Sequence, residues 1–169
     1  FLNSTNLFLI EKNEALIKKQ KDILSDLSVK NLTWCKNFDI KNDKPSIVYS
    51  NEFFDCFPVR QFFKKQEWFE KFIKYNNSTK LFNFVPEEIK NDKLLQSLEK
   101  FNNAGVAEIS NTRKNYYDEV CKCIKKNKGI ILTIDYGYKT FPRNFTLQSI
   151  HGHKKTHLFE NLGNQDITA

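Results

Sequence analysis

Three places in the chain set a carboxylate directly behind a short apolar run. Ile47-Val48-Tyr49-Ser50 leads into Asn51, Glu52 and Asp55, Leu7-Phe8-Leu9-Ile10 ends at Glu11, and Ile130-Ile131-Leu132-Thr133-Ile134 ends at Asp135-Tyr136-Gly137. Carboxylates accept hydrogen bonds and orient a cationic, donor-rich group. For any single run the bland explanation suffices, since loops are polar. Three runs with the same ending favour one crevice lined by acceptors.

Elements that would position these residues follow from the same runs. Short apolar stretches without alternation suit parallel strands covered on both faces, and open α/β sheets bind ligands beyond the carboxyl ends of such strands. Glu14 to Leu27 predicts a helix with Leu16, Ile17, Ile23, Leu24 and Leu27 inward and Lys18, Lys19 and Lys21 outside. Asn31 to Cys35 predicts a short strand, and Lys41 to Pro45 a polar turn. Strand, helix, strand and strand in this order indicate a parallel α/β sheet.

Val59 to Tyr75 is ambiguous: Trp68, Phe69 and Phe72 fit a helix, while the aromatic content fits a β-hairpin turning near Lys65 to Glu67. Leu81 to Val85 predicts a strand, Pro86 to Phe101 a weak helix, and Val106 to Ile109 another strand. Ser110 is placed to cap a helix striped by Tyr117, Val120, Cys121 and Ile124 and stopped at Gly129. Tyr136 to Ala169 carries loop signals, including Gly137, Pro142, Gly152 and Gly163, with no closing strand expected.

At 169 residues, 40% of them hydrophobic, the chain suits one globular domain. Its formal net charge of +7 comes from lysines dispersed over several segments, which read as solvated faces; no arginine-rich tract or zinc-finger spacing points to nucleic acid. Cys35, Cys56, Cys121 and Cys123 form no CxxC pair, and His151, His153 and His157 lack partners at a metal-ligand spacing, so no metal is expected. No apolar run approaches the ~18 residues needed to span a bilayer.

Ser50-Asn51-Glu52-Phe53-Phe54-Asp55-Cys56-Phe57-Pro58-Val59-Arg60-Gln61-Phe62 resembles the NEFFDALPVRQF motif of the MidA-like S-adenosylmethionine-dependent methyltransferases. Further matches occur in the family's order: Leu9-Ile10-Glu11, Trp68 and Glu70, Glu108-Ile109-Ser110, Ile134-Asp135-Tyr136-Gly137-Tyr138, Thr146-Leu147-Gln148, His153, Gly163 and Asp166-Ile167-Thr168-Ala169. The resemblance spans the whole chain. It implies a partial Rossmann-like class I methyltransferase sheet with an insertion at about 59–104, and it favours the hairpin over the helix for Val59 to Tyr75. The chain begins at Phe1 and contains no methionine. Residues 1–169 are therefore expected to be the central segment of a single methyltransferase domain, without the first strand, its glycine-rich cofactor loop and the C-terminal strands.

In function, the resemblance implies methylation of a protein arginine with S-adenosyl-L-methionine as cofactor. Mitochondrial members of the family assist assembly of respiratory complex I, so a complex I subunit is one candidate partner. Glu11 is expected to accept the ribose hydroxyls, and Asn51 to hold cofactor or substrate through its amide. An arginine acceptor is cationic, with a pKa above ~12; Glu52, Asp55 and Asp135 are expected to orient its fork and stabilise its charge. Tyr136 and Tyr138 are candidates for the pocket wall. Asn51 and the Arg60-Gln61 pair resemble bacterial members, implying a bacterial cytoplasm, with the mitochondrial matrix as the alternative. Two other readings stand beside this one: a noncatalytic remnant or assembly-binding module, and a nicotinamide-dependent oxidoreductase, which leaves the Asn-Glu-Phe-Phe-Asp and Asp-Tyr-Gly stretches unexplained.

Overall fold

The structure is a computed structural model, and it describes residues 4–27, 31–38 and 43–169. In chain order its elements are β1 (Leu7–Ile10), α1 (Glu14–Leu24), β2 (Leu32–Cys35), β3 (Ile47–Asn51), β4 (Arg60–Lys64), β5 (Trp68–Asn76) and β6 (Leu81–Glu88). There follow α2 (Asp92–Leu98), a 3-10 turn (Glu99–Phe101), β7 (Val106–Ile109), α3 (Asn111–Asn127), β8 (Ile130–Ile134), β9 (Gln148–His151), β10 (Lys154–Thr156) and β11 (Asp166–Thr168). The chain divides into two compact units, one of Phe1–Ser46 with Asp118–Ile130 and the other of Ile47–Tyr117 with Ile131–Ala169.

In the first unit, β1 and β2 pair in parallel with Leu7 opposite Leu32 and Ile10 opposite Cys35, and α1 forms the crossover such a pair requires. The Asn13 side chain starts this helix by accepting from Ala15 N and Leu16 N. Gln20 accepts from the Trp34 indole N–H at 2.9 Å, tying helix to strand. The expected helix to Leu27 stops at Leu24, and of its apolar residues only Ile17 is buried, while Leu16, Ile23 and Leu27 stay exposed. The second half of α3 contributes buried Val120 and Ile124 to this unit. Part of the expected turn at Lys41 to Pro45 lies outside the described residues.

The second unit holds the strand that leads to the acidic loop. β3 pairs with β8; Ile130 N donates to Ser46 O and Glu52 N to Ile134 O, each at 2.9 Å, the offsets of a parallel pair. Full burial of these two strands does not hold. Ile47 and Tyr49 alternate with half-buried neighbours and are 73% and 62% exposed, and Ile130, Leu132 and Ile134 are exposed as well. Among the described residues no layer covers that face.

Val59 to Tyr75 is a hairpin, not a helix: Gln61 faces Lys71 and Lys64 faces Trp68 across an antiparallel β4–β5 pair. These strands belong to a four-stranded sheet ordered β6-β5-β4-β7. Its core gathers buried Phe62, Trp68, Ala107, Ile89 and Leu98, with Leu94, Leu95 and Phe101 packed against them. Glu70, itself buried, receives Arg60 through a bidentate fork at 2.6 Å on both oxygens. The helix expected over Pro86 to Phe101 forms only from Asp92, because Pro86 to Glu88 continue strand β6; proline, lacking an N–H, is tolerated on an edge.

The carboxyl-terminal stretch is also more ordered than its loop signals suggest. β9 pairs antiparallel with both β10 and β11. Gly152 and His153, both at positive φ (54° and 61°), make the tight turn between β9 and β10.

Candidate active site

The acidic residues at the ends of β3 and β8 converge within the second unit. Glu52 follows the last residue of β3 and adopts φ 47°. A left-handed conformation of a non-glycine residue costs roughly 1 to 3 kcal/mol and persists where surrounding contacts hold it. Here the holding contacts are Glu52 N to Ile134 O and the Tyr136 hydroxyl donating to Glu52 Oε1 at 3.1 Å. Asp135, one residue past β8, clamps the loop from below: its Oδ2 accepts from Phe54 N at 2.9 Å and its Oδ1 from Tyr136 N at 2.8 Å.

Aromatic packing then fixes the loop between these carboxylates. Phe53, Phe54, Phe57 and Tyr116 have ring centroids 5.3 to 6.2 Å apart, and Phe54 also meets Tyr117 edge-on at 5.6 Å. Such pairs add about 0.5 to 1.5 kcal/mol each beyond area burial. The consequence lies in Asp55. It is drawn in to 7% exposure, and its Oδ1 has no hydrogen-bond partner among the described residues.

Burial first, then the nearby Asp135, Asp166 and Glu52, push the Asp55 carboxyl above its ordinary range. Asp166 is the residue that sequence reasoning left out of the site. It starts β11, and the chain just beyond that strand returns to the loop, where Ala169 N donates to Asp55 O at 3.0 Å. Arg113 Nη2 in turn holds Ala169 O at 2.9 Å. The only available signal was its place in the Asp-Ile-Thr-Ala run, since nothing local to Asp166 links it to Asp55.

Of the residues expected from sequence, Glu52, Asp55 and Asp135 thus come together, with Asn51 exposed at the end of β3. Tyr136 joins them through Glu52, and its hydroxyl is raised in pKa by that hydrogen bond. Tyr138 is 66% exposed. Glu11 belongs to the first unit, immediately after β1; its Oε1 accepts from Lys12 N and Asn13 N at 2.7 and 2.8 Å. Oε2 is left without a partner among the described residues.

An open cleft of about 360 Å³ borders Phe54 and is otherwise lined by Ser110, Arg113, Lys114 and Tyr117. Its cationic lining sets it apart from the acidic cluster. Chemically, the cluster suits a cation rich in N–H donors: a buried carboxylate with one oxygen unspent, an exposed glutamate steadied by a phenol, and an aspartate committed to holding both in place.

The chain is similar over nearly its whole length to known proteins. A protein from Caenorhabditis elegans named protein arginine methyltransferase NDUFAF7 homolog, mitochondrial, is 24% identical over 185 residues, covering 97% of this chain and 43% of its own length. A COG1565 superfamily member from Burkholderia thailandensis, solved with S-adenosyl-homocysteine bound, superposes with a TM-score of 0.79 at 20% identity over 97% of this chain and 44% of its own. A native structure of a COG1565 superfamily protein from the same organism gives 0.76 at 20% identity, with 97% and 46% coverage. The chain therefore has the α/β fold of those structures and spans less than half the length of these relatives. The model of the S-adenosyl-L-methionine-dependent methyltransferase family matches residues 1–169, and the chain belongs to that family.

Proposed function

We propose that the protein containing this chain methylates a guanidinium group of a protein, and that Glu52, Asp55 and Asp135 form the acceptor side of its site. The carrying observation is the buried Asp55 carboxylate with one oxygen unpartnered among the described residues, because leaving a buried acceptor unsatisfied costs about 1 to 3 kcal/mol unless a ligand completes it. An arginine fork supplies N–H donors and a compensating charge at once.

S-adenosyl-L-methionine, when bound, would supply an electrophilic methyl group for an acceptor nitrogen. The chain's own residues orient the acceptor and take up its proton. Glu52 and Asp55 hold the fork, and Asp135 keeps their loop in place through Phe54 N. On the cofactor side, the family resemblance assigns Glu11 to the ribose hydroxyls and the Asn51 amide to a polar group of cofactor or substrate.

We place residues 1–169 as the central segment of one methyltransferase domain, with 59–104 as an insertion in a Rossmann-like sheet. Supporting this, the family model matches all of residues 1–169 while the chain spans less than half the length of the relatives it resembles. A protein substrate such as a respiratory complex I subunit, in a bacterial cytoplasm or the mitochondrial matrix, fits the resemblance to the arginine methyltransferases.

The test separates cofactor from acceptor. In the whole protein, Glu52→Gln and Asp55→Asn are expected to leave S-adenosylmethionine affinity within about twofold and to lower kcat/KM for a protein acceptor by roughly a hundredfold or more, the loss of one to two charge-assisted hydrogen bonds. Equal losses of cofactor affinity in calorimetric titration would assign both residues to the wrong ligand.

A further inference from the structure

Two segments of the family resemblance, Glu108-Ile109-Ser110 and Thr146-Leu147-Gln148, have no part in the acceptor site described above. The structure joins them through one carboxylate. Glu108 Oε1 accepts from Gln61 Nε2 at 2.7 Å and from Leu147 N at 3.2 Å, and its Oε2 accepts from Thr146 N at 2.9 Å and from the Thr146 hydroxyl. A carboxylate offers about four lone-pair sites, so these donors leave Glu108 none to spend on a substrate or a proton.

The four-stranded sheet presents this carboxylate from a row across three of its strands. Lys71 on β5, Gln61 on β4 and Glu108 on β7 lie directly opposite one another in register, so their side chains share one face, the one turned away from Phe62 and its core. Gln61 is buried there and spends its amide on Glu108. Lys71 Nζ lies 4.8 Å from the ring centre of Phe145. Residues 145–147 are thus gripped twice, by a cation against an aromatic face and by a saturated carboxylate.

The gripped segment leads to Asp55. β9 starts at Gln148 and pairs with β11, Gln148 opposite Thr168; Gln148 Nε2 also donates to Thr168 Oγ1 at 3.4 Å. Directly past β11, Ala169 N donates to Asp55 O at 3.0 Å. Ala169 O accepts from Arg113 Nη2, and Arg113 N donates to Ser110 Oγ, two residues along the chain from Glu108. These hydrogen bonds form a closed circuit that leaves β7 at Glu108, returns to it through Ser110, and holds the Asp55 backbone at its far point. Asp166, whose charge acts on Asp55, rides on β11 within that circuit.

We propose that Glu108 is a positioning residue for methyl transfer, fixing the Asp55 loop through β9 and β11. Its effect on catalysis rests on the assignment of Asp55 to the acceptor, whereas its hold on the loop rests on the circuit alone.

Glu108→Gln in the whole protein keeps the side chain's length and turns one acceptor oxygen into a donor facing donors. Hydrogen exchange followed by mass spectrometry should quicken by about tenfold or more at 146–150, at 166–169 and in the 53–57 loop, the effect of losing a charge-assisted hydrogen bond. The far part of the β5–β6 pair, residues 72–85, should keep its rates. In steady-state kinetics kcat should fall about tenfold or more while the Kd for S-adenosylmethionine stays within about twofold. Added to Asp55→Asn, Glu108→Gln should cost nothing further, because it acts through that residue. Thr146→Val removes one donor of the four; it should give smaller effects in the same segments and serves where the first variant does not fold. Faster exchange at 146–150 beside an unchanged 53–57 loop, or a further loss of kcat in the double variant, would overturn the proposal. Full activity of Asp55→Asn would instead remove Asp55 from the acceptor site, and exchange at 53–57 would then decide the hold of Glu108 on the loop.

Discussion

Replacing Asp55 by asparagine removes a charge from the site and should make the protein more stable as it makes it less active. Asp55 is 7% exposed, its Oδ1 lacks a partner among the described residues, and Asp135, Asp166 and Glu52 add like charge around it. An unsatisfied buried acceptor costs about 1 to 3 kcal/mol. Asparagine keeps the shape and can donate where the carboxylate only accepts, so a gain on the order of 1 to 3 kcal/mol at pH 7 is expected. For a protein of this size or larger that is ~2 to 4 °C in Tm per kcal/mol. The pH dependence carries a definite sign. Because the folded state raises the pKa of Asp55, it binds more protons than the unfolded state between the unfolded and folded pKa values, and wild-type stability gains from this group as pH falls through that window. The advantage of the variant should therefore be full above the folded pKa and shrink on acidification. Thermal unfolding of the whole protein, wild type against variant, at a series of pH values reads this directly. A variant less stable than wild type at pH 7, or an advantage that grows toward acid, would refute the account of Asp55 as a strained, unsatisfied carboxylate.

Two further outcomes concern the cofactor side and the extent of the domain. Glu11→Ala in the whole protein should weaken S-adenosylmethionine binding by about 1.5 to 3 kcal/mol, the value of hydrogen bonds to a charged group, and an unchanged calorimetric affinity would remove Glu11 from the site. The 169-residue chain alone should unfold without a sharp transition and fail to bind the cofactor, since total stability is only about 5 to 15 kcal/mol for a native domain and the face bearing Ile47, Tyr49, Ile130, Leu132 and Ile134 lies open. Cooperative melting together with micromolar binding by that chain would contradict the incomplete-domain reading.

How far the structure could be read in advance depended on whether local chemistry decided the outcome. Apolar runs bounded by polar residues placed β1, β3 and β8 to within a residue, and the carboxylates behind β3 and β8 do meet. Ser110, expected as a cap, accepts from Arg113 N at 3.1 Å. The strands β9, β10 and β11 escaped notice because each has only three or four residues and owes its place to remote contacts, such as His151 Nδ1 with Asn164 O and Ser149 Oγ with Thr156 Oγ1. The same remoteness hid Asp166. Asp135 was legible as an acid at a strand end, but its commitment to Phe54 N and Tyr136 N depends on how the loop folds back, which spacing along the chain does not encode.

The ring cluster of Phe53, Phe54, Phe57, Tyr116 and Tyr117 has a consequence for selectivity. A loop that must organise itself around each acceptor can adjust to many cations, small amines included, and loses ordering entropy every time it does so. Here the aromatic plate and the Asp135 clamp hold the loop before any ligand arrives, so on the proposed reading Glu52 and Asp55 would meet every arriving cation in one arrangement. A planar fork with several donors can engage two acceptors at once, while a lysine ammonium is a single point of charge. Discrimination between the two basic side chains would then arise from the stiffness of a hydrophobic patch that touches neither of them.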